Sequence, residues 1–373
     1  MRVAIVTESF LPHVNGVTNT VRHIVDRLST TGHEVLVIAP GPGPAHHGTA
    51  RVVRVRSLPL PGYRSFSLGL PDAAVERALA GFGPDVVHLA SPIMLGAVGL
   101  RAARKLGIPT VAVYQTDIGA FARQYGVRAM PLIESWVGRL HRRCSRTLVP
   151  SSSSRTQLAA LGVPNLHVWR RGVSLDLFGP GRRNEALHRS FARPDGPVVV
   201  GYVGRLAAEK QVRRLTELAD LPGASLVVIG DGPLRPWLEQ HLPDATFTGM
   251  LGGAELAEAF ATLDVFVHPG EAETFCQTVQ EAQASGVPVV APAAGGPLDL
   301  VDHGRTGWLY DPGDRASLRA GVESLVRDRA LRESVAELAR RRVGDRSWAR
   351  VVDELVQVHY AAVLGHDDQE MAA

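Results

Sequence analysis

The sequence predicts an α/β protein with two doubly wound domains, in which helices cover both faces of two parallel sheets. Short, continuous apolar runs alternate with helical patterns along the chain, as expected for parallel strands that are buried on both faces. The runs form two series, which are separated by a segment without strand character. The length of 373 residues agrees with this division, because a chain of that size suggests about two domains.

The first series supplies five predicted strands and one clearly delimited helix. The strands are 3–7, 34–39, 85–90, 110–114 and 147–150. Between the first two, the apolar residues of Val17 to Thr31 recur at helical spacing, and Gly32 follows as the expected end of the helix. The segment 41–50 is rich in glycine and proline, which predicts a flexible loop.

The second series supplies five further strands. They are 198–204, 225–230, 245–249, 264–269 and 287–292. Segment 176–197, between the two series, lacks strand character and is predicted to be the linker region. After Trp348 the apolar residues again recur at helical spacing, so that a tail helix must bury one of its faces.

Composition and charge exclude several classes of protein. A net charge of +3 gives no strong attraction to polyanions, so that no nucleic-acid partner is expected. Cys144 and Cys276 are the only cysteines, and they supply neither a disulfide framework nor a metal-ligand cluster. The chain begins at once with a strand pattern instead of a signal peptide, and no apolar run reaches the roughly 18 residues of a membrane span. We therefore expect a cytoplasmic protein.

Two glutamates frame the start of a predicted helix. Glu273 and Glu281 have seven residues between them, which places them roughly 12 Å apart along the axis if the helix begins near Phe275. The carboxyl pair of a glycosidase is closer, at about 5–9.5 Å, so that these two are not expected to act on one bond. The unpaired amides of the first turn lie between them and suit a phosphate. A nucleotide sugar would contact both glutamates and the amides, with sugar hydroxyls at one end, phosphates in the middle and a ribose at the other end. The alternative is that Glu273 interacts with the helix dipole and that Glu281 is a solvated residue.

A second motif adds two cations. Segment 203–212 follows a buried strand and carries Arg205 and Lys210, and the carboxyl ends of parallel strands are where α/β sheets bind ligands. Arginine can hold a phosphate through two parallel hydrogen bonds, and lysine acts as a point charge. Lys210 is notable because Lys105 is the only other lysine of the chain. The alternative is a pair of solvated surface cations.

A third motif is the loop after the first strand, within segment 8–21. It contains Asn15 and Gly16 just before a helix, and Gly16 would let a phosphate or an acceptor approach the backbone closely. The loop lacks the GxGxxG pattern, so that dinucleotide binding is not indicated. The alternative is an ordinary strand–helix turn with Asn15 as the helix cap.

Together these motifs resemble one family. Glu273 and Glu281, followed by "ASGVPVVAPAAGGPLDLV", resemble the retaining nucleotide-sugar glycosyltransferases of family 4. The stretch "GRLAAEK" resembles the phosphate-binding loop of that family, and "ESFLPHVNGV" resembles its N-terminal glycine loop. The similarity extends from residue 2 to about 362, and the chain is most similar to actinobacterial GDP-mannose-dependent α-mannosyltransferases that act on lipid or inositol-type acceptors.

The resemblance implies the GT-B fold, in which two Rossmann-like doubly wound domains face each other across a cleft. Residues 1–178 would form the N-terminal acceptor domain, and residues 179–347 would form the nucleotide-sugar domain. Residues 348–373 would form a C-terminal helix and tail that cross back to the N-terminal domain.

The resemblance also implies roles for individual residues. Arg205 and Lys210 would hold the diphosphate and Glu273 the hydroxyls of the transferred sugar, which makes these three the expected catalytic residues. Glu281 would bind the ribose hydroxyls. The other expected donor contacts are the glycine loop opposite the diphosphate, the backbone around the base and the amides at the helix start, namely Gly16, Gly249, Met250, Leu251, Phe275, Cys276 and Gln277.

The chain departs from the family pattern at two positions. Many members have a histidine after the fourth strand, near the reacting carbon, where this chain has Gln115, with Asp117 two residues on. Glutamine cannot exchange a proton as histidine does, so we assign no proton transfer to Gln115. Asn15, Gln115 and Asp117 are candidates for contacts with the acceptor. Cys276 stands where the family usually has a glycine, and no neighbouring base in the sequence marks it as a nucleophile.

The expected reaction is a retaining transfer on one face of the sugar. The acceptor hydroxyl would attack from the side that the diphosphate leaves, and the departing phosphate would take the proton. Arg205, Lys210 and the helix amides would stabilise the developing charge. The sequence has no Asp-x-Asp motif, so that neither a metal nor another cofactor is expected besides the donor, GDP-mannose.

The acceptor side is predicted from a basic, aromatic stretch at 121–146. Its apolar members are Phe121, Tyr125, Met130, Leu132 and Trp136, and its arginines are Arg123, Arg128, Arg139, Arg142, Arg143 and Arg146. Such a stretch could lie on an anionic membrane at the inner face and collect a lipid-linked acceptor. The alternative is an amphipathic helix that packs in the first domain with solvated arginines.

Three alternatives to a mannosyltransferase remain at this point. The donor could be a UDP-sugar, because a base held by backbone leaves no side-chain code to read. The chain could be a non-hydrolysing nucleotide-sugar epimerase, which also uses two Rossmann-like domains but needs carboxylates near the sugar C2 that the E-x7-E pair does not supply. It could also be a binding module that has lost its chemistry, although Arg205, Lys210 and Glu273 are present.

Overall fold

The computed structural model describes residues 1–13, 15–60, 63–70, 72–117 and 130–365 and divides into two compact units. The first unit holds the described residues up to Arg171 together with Trp348–Gly365. The described residues of the second unit form one continuous segment, Gly172–Ser347. Each unit is built around its own sheet, as the two series of apolar runs predict.

The first unit contains an eight-stranded sheet in the order β10-β9-β8-β7-β1-β2-β4-β3. Its strands are β1 (Arg2–Thr7), β2 (Glu34–Pro40), β3 (His46–His47), β4 (Ala50–Val55), β7 (Val86–Ala90), β8 (Thr110–Val113), β9 (Arg146–Val149) and β10 (Leu166–Val168), and a separate antiparallel pair is formed by β5 (Ser57–Leu60) and β6 (Tyr63–Gly69). Among the described residues up to Arg171, its helices are α1 (Gly16–Thr30), α2 (Ala73–Phe82), α3 (Leu95–Lys105), α4 (Met130–His141) and α5 (Ser152–Ala160). All pairings of the large sheet are parallel except that of β3 with β4.

The five strands predicted for this unit are confirmed as β1, β2, β7, β8 and β9. The prediction for segment 41–50 is incomplete, because it includes the short strand β3, and β4 follows at once. In β4 the exposure alternates over the first three residues, with Arg51 exposed between the buried Ala50 and Val52, and Val53 and Arg54 are half-buried. A strand of this kind lies near the sheet edge and lacks the continuous apolar run on which the sequence prediction depends.

The second unit contains a six-stranded parallel sheet in the order β13-β12-β11-β14-β15-β16. Its strands are β11 (Val198–Val203), β12 (Ala224–Ile229), β13 (Thr246–Gly249), β14 (Val265–Val267), β15 (Val289–Pro292) and β16 (Trp308–Tyr310). Its helices are α6 (Glu185–Phe191), α7 (Arg235–His241), α8 (Gly253–Thr262), α9 (Gln277–Ala284), α10 (Pro297–Leu300), α11 (Arg315–Arg327) and α12 (Arg329–Val343). Five of the strands match the predicted ones, and only β16 was not predicted.

Two hydrophobic clusters cover the two faces of this second sheet. One is centred on Phe260 and Phe266, and the other on Tyr202 and Tyr310, all of which are inaccessible to solvent. Part of the segment predicted as a linker belongs to this core, because α6 inserts Phe191 into the first cluster. This helix was not predicted from the sequence, because its contacts with the core come from just two residues, Leu187 and Phe191.

The last described segment belongs to the first unit. It consists of α13 (Trp348–Glu354), a π-helical stretch (Leu355–Tyr360) and α14 (Ala361–Leu364). The indole of Trp169 donates to the carbonyl of Val351 at 2.9 Å, and Arg27 binds the carboxylate of Asp353 through two nitrogens at 2.8 and 2.7 Å. The predicted return of the chain to its N-terminal part is therefore confirmed. Among the described residues, no helix combines the length and the hydropathy that crossing a membrane requires.

Candidate functional site

The strand order of the second unit fixes where a ligand site is expected. From β11 the chain adds strands on one side to reach β13, and it then adds β14 to β16 on the other side. The neighbouring strands β11 and β14 therefore form the topological switch point, where open α/β sheets bind ligands beyond the carboxyl ends of their strands. The loop after β11 carries Arg205 and Lys210, and the loop after β14 carries Glu273.

An ion pair joins these two loops. Lys210 Nζ lies 2.5 Å from Glu273 Oε1, and the side chains are 31% and 13% exposed. Burial alone would raise the pKa of Glu273, but the Lys210 ammonium and the imidazole of His268 outweigh it and lower that pKa well below its usual range. Burial likewise disfavours the charged Lys210, but Glu273 raises the pKa of its ammonium. Both groups are therefore charged at neutral pH.

His268 is a third member of this site that the sequence interpretation missed. It follows β14 directly, is 2% exposed, and its Nε2 lies 3.3 Å from Glu273 Oε1. Burial opposes the imidazolium, but the neighbouring Cys276 sulfur and Glu273 carboxylate raise the pKa of His268 to about 9. A signal was available, because a histidine at the carboxyl end of a buried strand, in "VFVHPG", is rarely a solvated residue.

Arg205 has its own carboxylate partner. Its guanidinium donates to Glu209 Oε1 at 3.2 Å, and the side chain is 32% exposed. The buried hydroxyl of Tyr202 donates to the Arg205 carbonyl at 2.9 Å and so fixes the backbone of this loop. Both cations of the loop thus rest against carboxylates that are mostly buried, Glu209 and Glu273.

The helix after Glu273 begins at Gln277, two residues later than the spacing estimate assumes. Cys276 is the N-cap and adopts φ 76° and ψ 73°, in the left-handed region that favours glycine. This conformation gives a physical reason for the glycine that the resemblance leads us to expect at this position. Phe275 and Cys276 are 1% and 4% exposed, and the first turn of α9 carries amides that no earlier helical turn can bind.

Glycine contacts hold the loop that contains Glu273 and Phe275. The amide of Gly296 donates to the Glu273 carbonyl at 2.7 Å. A β-carbon on Gly295 would lie 2.6 Å from the same carbonyl oxygen, and one on Gly296 would overlap with the carbonyl group of Phe275. The "AAGGPLD" motif therefore supplies close backbone packing beneath the start of α9.

A second set of glycines holds the loop of Arg205. A β-carbon on Gly230 would overlap with the Gly204 carbonyl, and one on Gly232 would lie 2.5 Å from the Leu206 carbonyl oxygen. The amide of Leu206 donates to the Asp231 carbonyl at 2.9 Å. The "IGDGP" turn thus positions the cationic loop through close backbone contacts.

Glu281 lies in α9 and is partly buried. Desolvation raises the pKa of its carboxyl from 4.5 to about 8, so that it is protonated at neutral pH in the protein without ligand. A protonated carboxyl can both donate and accept hydrogen bonds, which suits the paired hydroxyls of a ribose.

We expect Glu281→Gln to gain stability relative to the wild type as the pH rises from about 5 to 8. The native carboxyl keeps its proton up to a pKa of about 8, whereas the unfolded one loses it near 4.5, so that the wild type loses stability through this window. The limiting slope is about 1.4 kcal/mol per pH unit, and glutamine cannot ionise. Urea unfolding of both proteins at several pH values measures the difference; a constant difference would contradict the burial argument.

The residues that are predicted to bind the base lie at the end of β13, which is an edge strand of the six-stranded sheet. Gly249 ends β13, has φ 76° and accepts a hydrogen bond from the Gly230 amide at 2.8 Å. Met250 is 79% exposed, and Leu251 packs against the core. Exposure of a large apolar side chain beside a glycine leaves an open apolar surface on which a base could lie.

In the first unit Asn15 caps the N-terminus of α1, as the alternative interpretation of the sequence predicts. Its side-chain oxygen accepts from the amides of Val17 and Thr18 at 3.0 Å, and its amide nitrogen donates to Ser9 at 2.7 Å. Gly16 starts α1, and a β-carbon there would lie 3.2 Å from a guanidinium nitrogen of Arg171.

The two acceptor-side candidates after β8 also have partners within the first unit. Gln115 is 5% exposed, and its side-chain oxygen accepts from Arg171 at 3.3 Å. Asp117 accepts from Gln157 at 3.0 Å. The sequence interpretation missed Arg171, which is 8% exposed and close to both Gln115 and Gly16.

Fold and site define a class of protein: a two-domain α/β protein with two doubly wound parallel sheets, in which cations and carboxylates converge at the switch point of the second sheet. Comparison with known families agrees with this class. "Glycosyltransferase Family 4" matches residues 14–177, and "Glycosyl transferases group 1" matches residues 183–342. The chain belongs to glycosyltransferase family 4.

Similar proteins cover nearly the whole chain. The GDP-mannose-dependent alpha-mannosyltransferase of Mycolicibacterium smegmatis is 54% identical over 98% of both chains. The protein of the same name from Mycobacterium tuberculosis is 50% identical over 100% of this chain and 99% of its own. Among solved structures, sucrose-phosphate synthase from Thermosynechococcus elongatus superposes with a TM-score of 0.78 at 19% identity and covers 97% of this chain and 98% of its own, which confirms the GT-B type of fold.

Proposed function

We propose that the protein transfers mannose from GDP-mannose to an acceptor hydroxyl with retention of configuration and without a metal. The observation that carries this proposal is the Lys210–Glu273 pair at the switch point of the second sheet, beside the start of α9. Its placement matches what a sugar diphosphate requires, namely a cation for the phosphates and a carboxylate for the adjoining hydroxyls. The names of relatives at 54% and 50% identity support mannose and GDP as the transferred sugar and the leaving group.

The proposed roles follow from the contacts. Lys210 and Arg205 would each turn from a carboxylate partner toward the diphosphate, while Glu273 stays ionised and accepts hydrogen bonds from the mannose hydroxyls. The amides of Cys276 and Gln277 would add donors to the phosphates at the positive end of α9. Glu281 would bind the ribose, and Gly16, Gly249, Met250, Leu251 and Phe275 keep their proposed contacts with the donor.

The chemical step exchanges one glycosidic bond for another. The bond between the sugar C1 and the leaving phosphate oxygen breaks, and a bond to the acceptor oxygen forms on the same face. The proton of the acceptor hydroxyl passes to the departing phosphate. Lys210, Arg205 and the α9 amides stabilise the charge that develops on that phosphate, and such electrostatic stabilisation is typically the largest catalytic contribution.

A panel of nucleotides tests the donor. We expect GDP to raise the thermal stability more than UDP or ADP, since a ligand of the native state stabilises it by about 2.7 kcal/mol at a hundredfold excess over Kd. Incubation with GDP-mannose and inositol-type or lipid-linked acceptors should then release GDP and form a new α-mannoside. Epimerised donor would point to the isomerase alternative, and preferential stabilisation by UDP would point to a UDP-sugar.

We further propose that the acceptor is collected at an anionic membrane surface. Residues 121–129 of the basic, aromatic stretch lie outside the described residues, but α4 presents Leu132 and Trp136, which are 75% and 41% exposed, together with exposed Arg139. These positions recur at helical spacing on one outer face. An exposed apolar and basic face of this kind suits the interface of an anionic bilayer.

We expect the protein to sediment with anionic vesicles and not with neutral ones. The double variant Leu132→Ser/Trp136→Ser should lose most of this binding, because it removes the apolar side chains that enter the interface. Leu338→Ser, which changes a 37% exposed leucine of α12, is the matched control. Equal sedimentation of wild type and double variant would refute the membrane proposal and leave the donor proposal unaffected.

A further inference from the structure

Three potential metal ligands meet at the donor site of the second unit. A ring nitrogen of His268, a carboxylate oxygen of Glu273 and the sulfur of Cys276 all lie within 4.8 Å of one another. From this convergence we propose that the site binds a thiophilic divalent cation of the Zn²⁺ type, and that this cation and the sugar nucleotide exclude each other. The exclusion rests on the proposed function, whereas the binding of the cation does not.

The ligand set has the chemistry of zinc. Imidazole, carboxylate and thiolate bind Zn²⁺ at about 2.0–2.3 Å, so that ligand atoms around one tetrahedral ion lie roughly 3.3–3.8 Å apart. His268 Nε2 and Glu273 Oε1 are already 3.3 Å apart. Closing the remaining distances, which do not exceed 4.8 Å, needs only side-chain adjustment. Three protein ligands would leave one position open, as in zinc sites that bind a fourth ligand from solvent.

His268 provides a second, independent observation. It is 2% exposed, and neither ring nitrogen makes a hydrogen bond of good geometry among the residues that the structure describes; Nε2 has only the 3.3 Å ion-pair contact with Glu273, and Nδ1 lacks a polar partner. Buried polar groups are nearly always satisfied, and an exception calls for an explanation. A bound cation would provide a partner for one ring nitrogen of His268.

Cys276 supplies the sulfur ligand of the proposed site. Its backbone is left-handed at φ 76°, a conformation that glycine adopts without strain, and yet a cysteine occupies it. Within the described structure its sulfur has one hydrogen-bonding neighbour, Thr278 Oγ1, at 3.6 Å. Because glycine suits this backbone, Cys276→Gly removes the thiol without forcing the loop to change.

The same carboxylate serves the cation and the donor. Glu273 is held by Lys210 at 2.5 Å, and a metal ion on Glu273 would compete with that ammonium. It would also add positive charge where the mannose hydroxyls are proposed to bind. Occupation by metal therefore removes one carboxylate from donor binding, and a bound donor shields that carboxylate from the metal.

Spectroscopy on the reduced full-length protein tests the binding without any activity measurement. Cd²⁺ bound to a thiolate gives a charge-transfer band in the ultraviolet, and Zn²⁺ affinity follows from competition with a chromophoric chelator. We expect one equivalent of metal in the wild type and in Cys144→Ser, which removes the only other cysteine. Cys276→Gly and His268→Asn should lose the cadmium band or weaken it, and should lower Zn²⁺ affinity about a hundredfold, since loss of an outer-shell partner alone costs about 10–100-fold.

The exclusion is tested by repeating the Zn²⁺ titration with GDP-mannose present. At a hundredfold excess of donor over its Kd, simple competition raises the apparent Kd for Zn²⁺ about a hundredfold. A band that persists in Cys276→Gly and disappears in Cys144→Ser, or a wild type that fails to bind micromolar Zn²⁺, overturns the metal site. Metal affinity that GDP-mannose leaves unchanged in an enzyme that transfers mannose overturns the exclusion. If mannose is not transferred but Zn²⁺ binds as described, the proposed function fails and the metal site stands.

Discussion

Lys210→Ala is expected to lower kcat about 10²–10³-fold while the protein stays folded. The ammonium is the charge best placed to stabilise the leaving phosphate, and removal of one such stabilising group from an active site typically has an effect of this size, roughly 3–4 kcal/mol. The fold should survive because Glu273, which loses Lys210, keeps the imidazole of His268 at 3.3 Å as a counterion. Steady-state kinetics of GDP release, with circular dichroism of the same samples, gives both readouts.

The matched control for this experiment is Lys105→Ala. Lys105 is the only other lysine, and it forms a pair with Glu76 at the end of α3, where its side chain is 67% exposed. Exposed pairs contribute about 0–1 kcal/mol, so that this variant should match the wild type in activity and nearly in stability. Near-wild-type turnover in Lys210→Ala would remove the residue from the proposed mechanism.

Gly296→Ala is expected to damage the donor site through the backbone alone. The added methyl group would overlap with the backbone of Phe275, so that the segment leading into α9 must move. Overpacking of a close-fitting interior typically costs about 1–3 kcal/mol. We expect GDP affinity to fall at least tenfold and the unfolding midpoint to fall with it, as measured by calorimetric titration and urea unfolding.

Gly181→Ala is the control for this second experiment. Gly181 lies in the 3₁₀ turn at Pro180–Arg182, and a β-carbon there would meet no atom within 4 Å. Nucleotide affinity should therefore stay at the wild-type value. If Gly296→Ala also bound GDP like the wild type, the start of α9 would not need its observed position for donor binding.

The architecture was predictable because buried parallel strands have a simple signature. Ten strands were predicted from continuous apolar runs, and each of them is present. The strands that were not predicted lie at sheet edges, as β3, β10 and β16 do, next to an edge, as β4 does, or outside the large sheets. The helix Glu185–Phe191 was not predicted, because its two apolar contacts do not produce a recognisable period.

The candidate site was predictable only in part. Charged residues just after strands, such as Lys210 and Glu273, could be assigned because strand ends converge in space. Whether they pair with each other depends on the order of strands, which a single sequence does not reveal, and for the same reason His268 was not connected with Glu273. The left-handed backbone of Cys276 was also not predictable, because the residue that occupies it gives no sign of that conformation.

The return of the last helices to the first unit has a consequence for how the protein forms on the ribosome. Residues 348–365 supply the partners of Trp169, Arg27 and His88, so that the first unit cannot complete its core until nearly the whole chain has been made. Among the described residues, the second unit is contiguous in sequence, from Gly172 to Ser347, and lacks this dependence. Synthesis from the N-terminus usually lets the first domain mature first. Here the order is reversed, because the second unit can reach its native state before the final segment of the first unit has been synthesised.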